Sequence, residues 1–221
     1  MIVSAHQSSF LPWVPYWHKV LHSDVHVVLE GVDFDFQGYQ SRVKGKSGWL
    51  TLPVDRKTKD GPISEVQFNT KAVPKLIRAI EQTYGAKKNP YRYRVEPILK
   101  ALKTTSNSSL ARLNERLHRV VLAQLGGSPS RIDYSRVKSG LSHKTTRLME
   151  MLSRADTPDK FDYLTGAGAG YLDLNHLPDN VGLLVQILPE NEPDETVLSV
   201  LVSEPDPQDY VMARCSYERM K

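Results

Sequence analysis

The chain has 221 residues, 40% hydrophobic and 24% charged, an ordinary globular composition with enough length to bury a core without disulfides. Its one cysteine, Cys215, excludes an internal disulfide framework and a Cys-rich zinc site, and no run is apolar enough for a signal peptide or a membrane span, so a single cytoplasmic domain over 1–221 is expected. The net charge of +4 hides an asymmetry: residues 179–210 carry eight carboxylates and no Lys or Arg, leaving +12 on the rest, which suits a phosphorylated or polyanionic partner.

Ile2 to Ala5 reads as a short buried strand, and His6 to Pro12 as a loop whose Pro12 and Pro15 suit the start of a helix. Val14, Trp17, Val20 and Leu21 recur at helical spacing, which predicts an amphipathic helix over 13–22. Residues 24–29 follow as a second strand. Such a strand–loop–helix–strand unit is the start of a parallel sheet. Asp33 to Lys46 is irregular and basic, 49–54 is a strand, and 63–68 is a further strand candidate.

Helices are predicted from about Pro74, at 94–103 and at 109–125, the last ended by Gly126-Gly127. A strand at 131–134, a helix capped by Ser142 and running to Arg154, and strands at 161–164 and 182–188 complete the series. The fold expected is α/β: a Rossmann-like, mainly parallel sheet flanked by helices, with a helical insertion at about 71–127.

Four places carry candidate chemistry. The His6-Gln7 loop lies where parallel sheets bind ligands, at a strand's carboxyl end. The helix start beside it offers N–H groups to a phosphate, and His6 can donate to a phosphoryl oxygen or act as a general acid. The run Ser142-His143-Lys144-Thr145-Thr146-Arg147 places an ammonium, a hydroxyl and a guanidinium in the first turns of a helix, where they can converge on one anion.

The third place, Gly166 to Gly170, follows a strand but has neither dinucleotide nor P-loop spacing; its small residues permit close approach of a ligand, and a plain turn reads equally well. The fourth is basic: Arg42, Lys44, Lys46, Arg56, Lys57 and Lys59, together with Lys87, Lys88, Arg92 and Arg94 beside Tyr91 and Tyr93, a mixture that suits nucleic acid. His18, His22 and His26 invite a metal, but His26 falls in a strand and no zinc-like carboxylate spacing accompanies them, so no metal ligand and no cofactor is assigned. Cys215 has no motif around it to make it a nucleophile.

Three stretches resemble the WbqC-like protein family. The first is His6-Gln7-Ser8-Ser9-Phe10-Leu11-Pro12-Trp13, continuing through Tyr16 and Lys19 to Asp24-Val25. The second is Tyr39-Gln40-Ser41-Arg42 followed by Trp49 to Val54, in which Ser41-Arg42 stands where the family has Asn-Arg. The third is Gly140, Lys144-Thr145, Arg147-Leu148, then Tyr163-Leu164-Thr165-Gly166, Gly168 and Tyr171-Leu172-Asp173. The likeness spans about residues 2–188. It implies association with surface-polysaccharide biosynthesis, and with gene clusters, some viral, that decorate small molecules or DNA bases; in the viral case the compartment is the host cytoplasm.

The function expected is transfer of an amine, such as the amino acid glycine, onto a carbon bearing a phosphate or pyrophosphate leaving group, with a hydroxymethyl-pyrimidine of phage DNA as the preferred acceptor. His6, Gln7 and Arg42 would act at the reacting centre. Lys144, Thr145, Arg147, Gly166, Gly168, Trp13, Tyr16, Tyr171 and Asp173 would bind substrate and phosphate. Lys44, Lys46, Lys87, Lys88, Arg92 and Arg94 would meet nucleic acid. A transferase acting on a nucleotide-linked amino sugar, and a non-catalytic module that binds nucleotide or nucleic acid, are the alternatives.

Overall fold

The structure is a computed structural model that describes the whole chain except residues 128, 130, 142, 191–195 and 221 and the side chain of Tyr171. The expected cap Ser142 and the acidic Glu192, Asp194 and Glu195 therefore lie outside the described residues.

Six strands form one sheet: β1 (Ile2–Gln7), β2 (Val25–Leu29), β5 (Arg131–Ser135), β6 (Phe161–Thr165), β7 (Val181–Ile187) and β8 (Ser216–Arg219), in the order β5-β2-β1-β6-β7-β8. All neighbours are parallel except β7 and β8. β3 (Arg42–Gly45) and β4 (Gly48–Thr51) form a separate hairpin. The helices are α1 (Val14–Leu21), α2 (Val73–Tyr84), α3 (Glu96–Lys103), α4 (Leu110–Leu125), α5 (Lys144–Ser153), α6 (Val197–Ser203) and α7 (Pro207–Ala213). This is the expected Rossmann-like α/β arrangement. Among the described residues no helix is long and apolar enough to cross a membrane.

The two sides of the sheet differ in kind. On one, Val3 and Ala5 of β1, Val25, Val27 and Leu29 of β2, Tyr163 of β6 and Leu183 of β7 pack with Leu148, Met151 and Leu152 of α5. Alternation along the strands sends Ser4, His6 and His26 to the other side. The larger core there is built by α1 to α4, α6, α7 and the hairpin, with Trp17, Ile80, Tyr84, Leu117 and Leu198 inside it. The helical stretch expected as an insertion thus shares its core with α1 and the C-terminal helices.

Several local expectations are corrected. Residues 63–68 do not form a strand: Ile63–Glu65 is a 3-10 turn, and Gln67 and Phe68 make only isolated bridges to Ser109 and Val54. The irregular 33–46 stretch ends in β3. The helix at 94–103 begins at Glu96, after a 3-10 turn at Arg92–Val95. The residue that caps α5 is His143, and it gives no side-chain cap bond. Gly126 closes α4 in the left-handed region at φ 80°, as expected of a glycine there. The helices α6 and α7 and the edge strand β8 were not anticipated.

Candidate functional site

The chain runs from β1 outward through β2 to β5, then returns to the other flank of β1 for β6 and β7. The order therefore reverses between β1 and β6, the place where an open parallel sheet leaves a crevice beyond its carboxyl ends. Pairing of β1 with β6 stops at Ser4 opposite Leu164, although both strands run on. A cavity of about 660 Å³ occupies that place. Its wall takes His6 and Gln7 from β1, Tyr16 and Lys19 from α1, Lys144 and Arg147 from α5, and Thr165 at the end of β6 with Gly166 to Gly168 after it. Lys19, Lys144 and Arg147 give this wall three cations, and none of the residues described in it is a carboxylate.

The loop from β1 to α1 is held tightly. Leu11 is fully buried at φ 45°, a conformation uncommon for a residue with a branched side chain, and its carbonyl accepts the Thr196 hydroxyl at 3.2 Å. Trp17 Nε1–H donates to the Pro12 carbonyl at 3.1 Å, and Val197 N–H to the same carbonyl at 3.2 Å. The N-cap Trp13, the first-turn Pro15 and Tyr16, and Lys19 one turn on bring α1 to the cavity. Pro15 has no N–H and Tyr16 N–H donates to the Trp13 carbonyl, so the free donors expected of its first turn are largely absent.

Between α1 and the sheet lies a buried polar layer. Lys19 Nζ donates to the Ala5 carbonyl at 2.8 Å, and desolvation lowers its pKa from 10.5 to about 7. His26 Nδ1 lies 2.7 Å from Ser4 Oγ, which is 2.6 Å from Ser23 Oγ, and His26 Nε2 lies 3.3 Å from the Tyr16 hydroxyl. Burial, and next the Lys19 charge, drive His26 well below its usual range, and burial raises Tyr16 well above its own. Every titrating group of this layer except Lys19 is thus neutral at pH 7.

His6 packs edge-on to Tyr16 at 5.1 Å between ring centroids. Desolvation, and next the Lys19 charge, lower its pKa to about 3. Its Nδ1 lies 3.0 Å from the Gln7 carbonyl, which only accepts, so Nδ1 carries the proton and Nε2 is left as an acceptor. The ring is therefore neutral at pH 7 and resists protonation, which does not suit the expected general acid; its Nε2 offers a hydrogen-bond acceptor instead.

The remaining expected residues divide between the cavity and elsewhere. Gln7, Trp13, Tyr16, Lys144, Arg147, Gly166 and Gly168 line the cavity. Thr145 does not: it is fully buried, and its Oγ1 accepts the Asp173 N–H at 2.9 Å, tying α5 to the segment after β6. Asp173 turns to His176, with Oδ2 3.0 Å from His176 Nδ1. Arg42 is also outside the cavity; its guanidinium donates to the Gln37 carbonyl and lies over the Trp49 ring at 4.4 Å. The Tyr171 side chain is outside the described residues.

Of the basic residues, Lys44, Lys46, Lys87, Lys88 and Arg92 are exposed. Lys46 N–H donates to the Tyr84 hydroxyl at 3.0 Å, which brings the hairpin tip to the end of α2, just before Lys87 and Lys88. Arg94 is instead a clamp: it donates to the Leu201, Glu204 and Pro205 carbonyls and stacks on Tyr91, so it is spent on the fold. His18 and His22 stack at 4.0 Å, but His26 belongs to the Tyr16 layer and does not join them.

Two residues escaped the sequence reading of the site although both stand in its quoted motifs. Lys19 was named only within the first family-like stretch and given no role, and the helix expected to be amphipathic is buried almost all round. Gln40, two residues before Arg42, is the member of its motif that reaches the site: its Nε2 donates to Gln7 Oε1 at 2.6 Å, and its own carbonyl accepts Asn114 Nδ2 at 2.9 Å. Gln186, also in the cavity wall, donates to the Pro15 carbonyl at 2.9 Å. Among the described residues one trio, His143, Asp173 and His176, brings His and carboxylate ligand atoms within 4.8 Å of one another.

The model of the WbqC-like protein family matches residues 7–181. No curated protein and no solved structure matches the chain.

Proposed function

The chain belongs to the WbqC-like protein family, and from that premise we propose that it is a transferase joining an amine to a phosphate-activated carbon. The observation that carries the reading is the cavity at the β1–β6 crevice, with three cations and no described carboxylate in its wall, one of those cations being a lysine held near neutrality. Lys144 and Arg147 suit the grip on a phosphate or pyrophosphate, the guanidinium bidentately. An amine donor such as glycine arrives as an ammonium and must lose a proton before it can attack. Lys19, with a pKa of about 7, is the group matched to that task. The amine nitrogen then forms a bond to the acceptor's methylene carbon, the carbon–oxygen bond to the phosphate breaks, and the phosphate leaves with its electron pair into the field of Lys144 and Arg147. Gln7, oriented by Gln40, and the Nε2 of His6 would position the donor.

The acceptor we favour is a hydroxymethyl-pyrimidine in DNA carrying the phosphate. Exposed Tyr39 and Trp49 lie 5.9 Å apart between ring centroids, with the Arg42 guanidinium over the Trp49 ring and Lys44 opposite Trp49 in the hairpin, a combination that suits stacked bases and backbone phosphates. A nucleotide-linked amino sugar in surface-polysaccharide synthesis is the second reading, favoured by a cavity volume in the range of small-molecule sites. The test is mass spectrometry of pyrophosphorylated hydroxymethyl-pyrimidine DNA incubated with the protein and candidate amines. Substituted bases and released pyrophosphate are expected with the wild type and neither with Lys19→Met. Unchanged DNA with every amine would overturn the DNA reading, and turnover of a nucleotide-linked sugar in its place would install the second.

A further inference from the structure

We infer that His143, Asp173 and His176 form a binding site for one divalent transition-metal ion of the zinc class, a reading that stands apart from the transfer reaction. The three come from two segments: His143 caps α5, while Asp173 and His176 begin and end a 3-10 turn at Leu174–His176. Their ligand atoms all lie within 4.8 Å of one another. His176 Nδ1 is 3.0 Å and His143 Nε2 3.9 Å from Asp173 Oδ2. Around a tetrahedral ion with bonds of about 2.0–2.1 Å, adjacent ligand atoms sit about 3.3 Å apart. The two His–Asp separations bracket that value, so rotation of the two imidazoles about their side-chain bonds can bring all three ligands onto one ion.

The arrangement is fixed by the fold. Asp173 N–H donates to Oγ1 of the fully buried Thr145, which locks the carboxylate's backbone to the first turn of α5, two residues beyond His143. Asp173 Oδ1 is held by the Asn175 N–H at 2.9 Å, leaving Oδ2 for a ligand. The imidazoles of His143 and His176 lie side by side, 3.8 Å apart between ring centroids with 22° between their planes, and the two rings must turn out of this stack to share one ion. This gives buried Thr145 a reason that substrate binding did not.

Two imidazoles and one carboxylate select a borderline ion such as zinc over magnesium or calcium, whose sites are built from oxygen. Three protein ligands leave a position for water or for an oxygen of an incoming group. Lys144, next in the chain to His143, lines the cavity, so the ion would sit at the edge of that wall.

The experiment uses full-length, tag-free protein stripped by a chelator and titrated with cobalt(II), read by ligand-field absorption, and with zinc, read by calorimetry. One saturable equivalent is expected. His176→Ala, a change at an exposed residue, and His143→Ala should each weaken binding by more than about tenfold, a loss that removal even of an outer-sphere partner can bring. His22→Ala should leave it unchanged, and the rise in melting temperature that zinc gives the wild type should vanish in His176→Ala. Absence of a saturable equivalent, or binding that survives both His143→Ala and His176→Ala, would overturn the inference.

Discussion

At the scale of single residues, Lys19 is the most informative group. Its ammonium has the Ala5 carbonyl of β1 for a partner and is buried, so the folded chain disfavours the charged form. The unfolded chain takes up this proton below about pH 10.5, the folded chain only below about 7. Stability contributed at this site is therefore greatest above pH 10.5, falls as pH drops towards 7, and is then level. Lys19→Met should raise stability at pH 7, by about 1–3 kcal/mol from the scale of buried-charge replacements, while abolishing turnover; calorimetric melting and the transfer assay measure the two halves. Transfer by the wild type should rise with pH through about 7, and His6, neutral down to about 3, should add no step in that range. His6, Gln7, Lys144 and Arg147 were legible because each stands in a motif at a strand end or helix start. Lys19 was not, because a cation at a helix position that turns out buried looks, in sequence, the same as one facing water.

At the scale of elements, the parallel strands and most helices could be read from hydrophobic period, whereas β8 and the site's outer parts could not. β8 is Ser216-Tyr217-Glu218-Arg219, with no apolar alternation; its place is set by Arg219, which donates from two nitrogens to both oxygens of Asp162 at 2.7 Å. The α6 helix was hidden for a different reason. Its Val/Leu run has no polar face because it is buried all round, and Thr196 at its start braces Leu11 in the loop above the cavity. The glycine turn after β6 supports a direct test. A Cβ added at Gly168 would meet no atom within 4 Å, so the backbone does not require glycine there. Gly168→Leu should change stability by less than about 0.5 kcal/mol, while its side chain crowds the cavity and raises KM several-fold; steady-state kinetics beside a melting curve decide it. The hairpin makes a separate prediction. Trp49→Ala should weaken single-stranded DNA binding by about 1–3 kcal/mol, the worth of one stacked base, measured by fluorescence anisotropy, with pyrophosphate affinity unchanged.

At the scale of the whole molecule, the sheet order places the switch point at β1 and β6, and the sequence supplied both flanks of it without supplying the order itself. Strand order is a long-range property: β1 meets β6 across most of the chain's length, and no local pattern around Ile2 or Phe161 encodes that meeting. The charge asymmetry was legible, yet it spoke of a surface rather than a site, and Arg94 shows how a cation in a basic run can be consumed by carbonyls of the fold. If Lys87 and Lys88 meet the backbone of a DNA substrate, replacing each with Gln should reduce the salt dependence of log K by about 0.7–0.9 per lost phosphate contact. The most direct measurement of the central claim is equilibrium binding of inorganic pyrophosphate to the wild type, Lys144→Ala and Arg147→Ala. Saturable binding to the wild type, weakened at least about tenfold in each variant at unchanged melting temperature, is the expected result. Binding that is absent from the wild type, or indifferent to both substitutions, would contradict a phosphate pocket at this crevice.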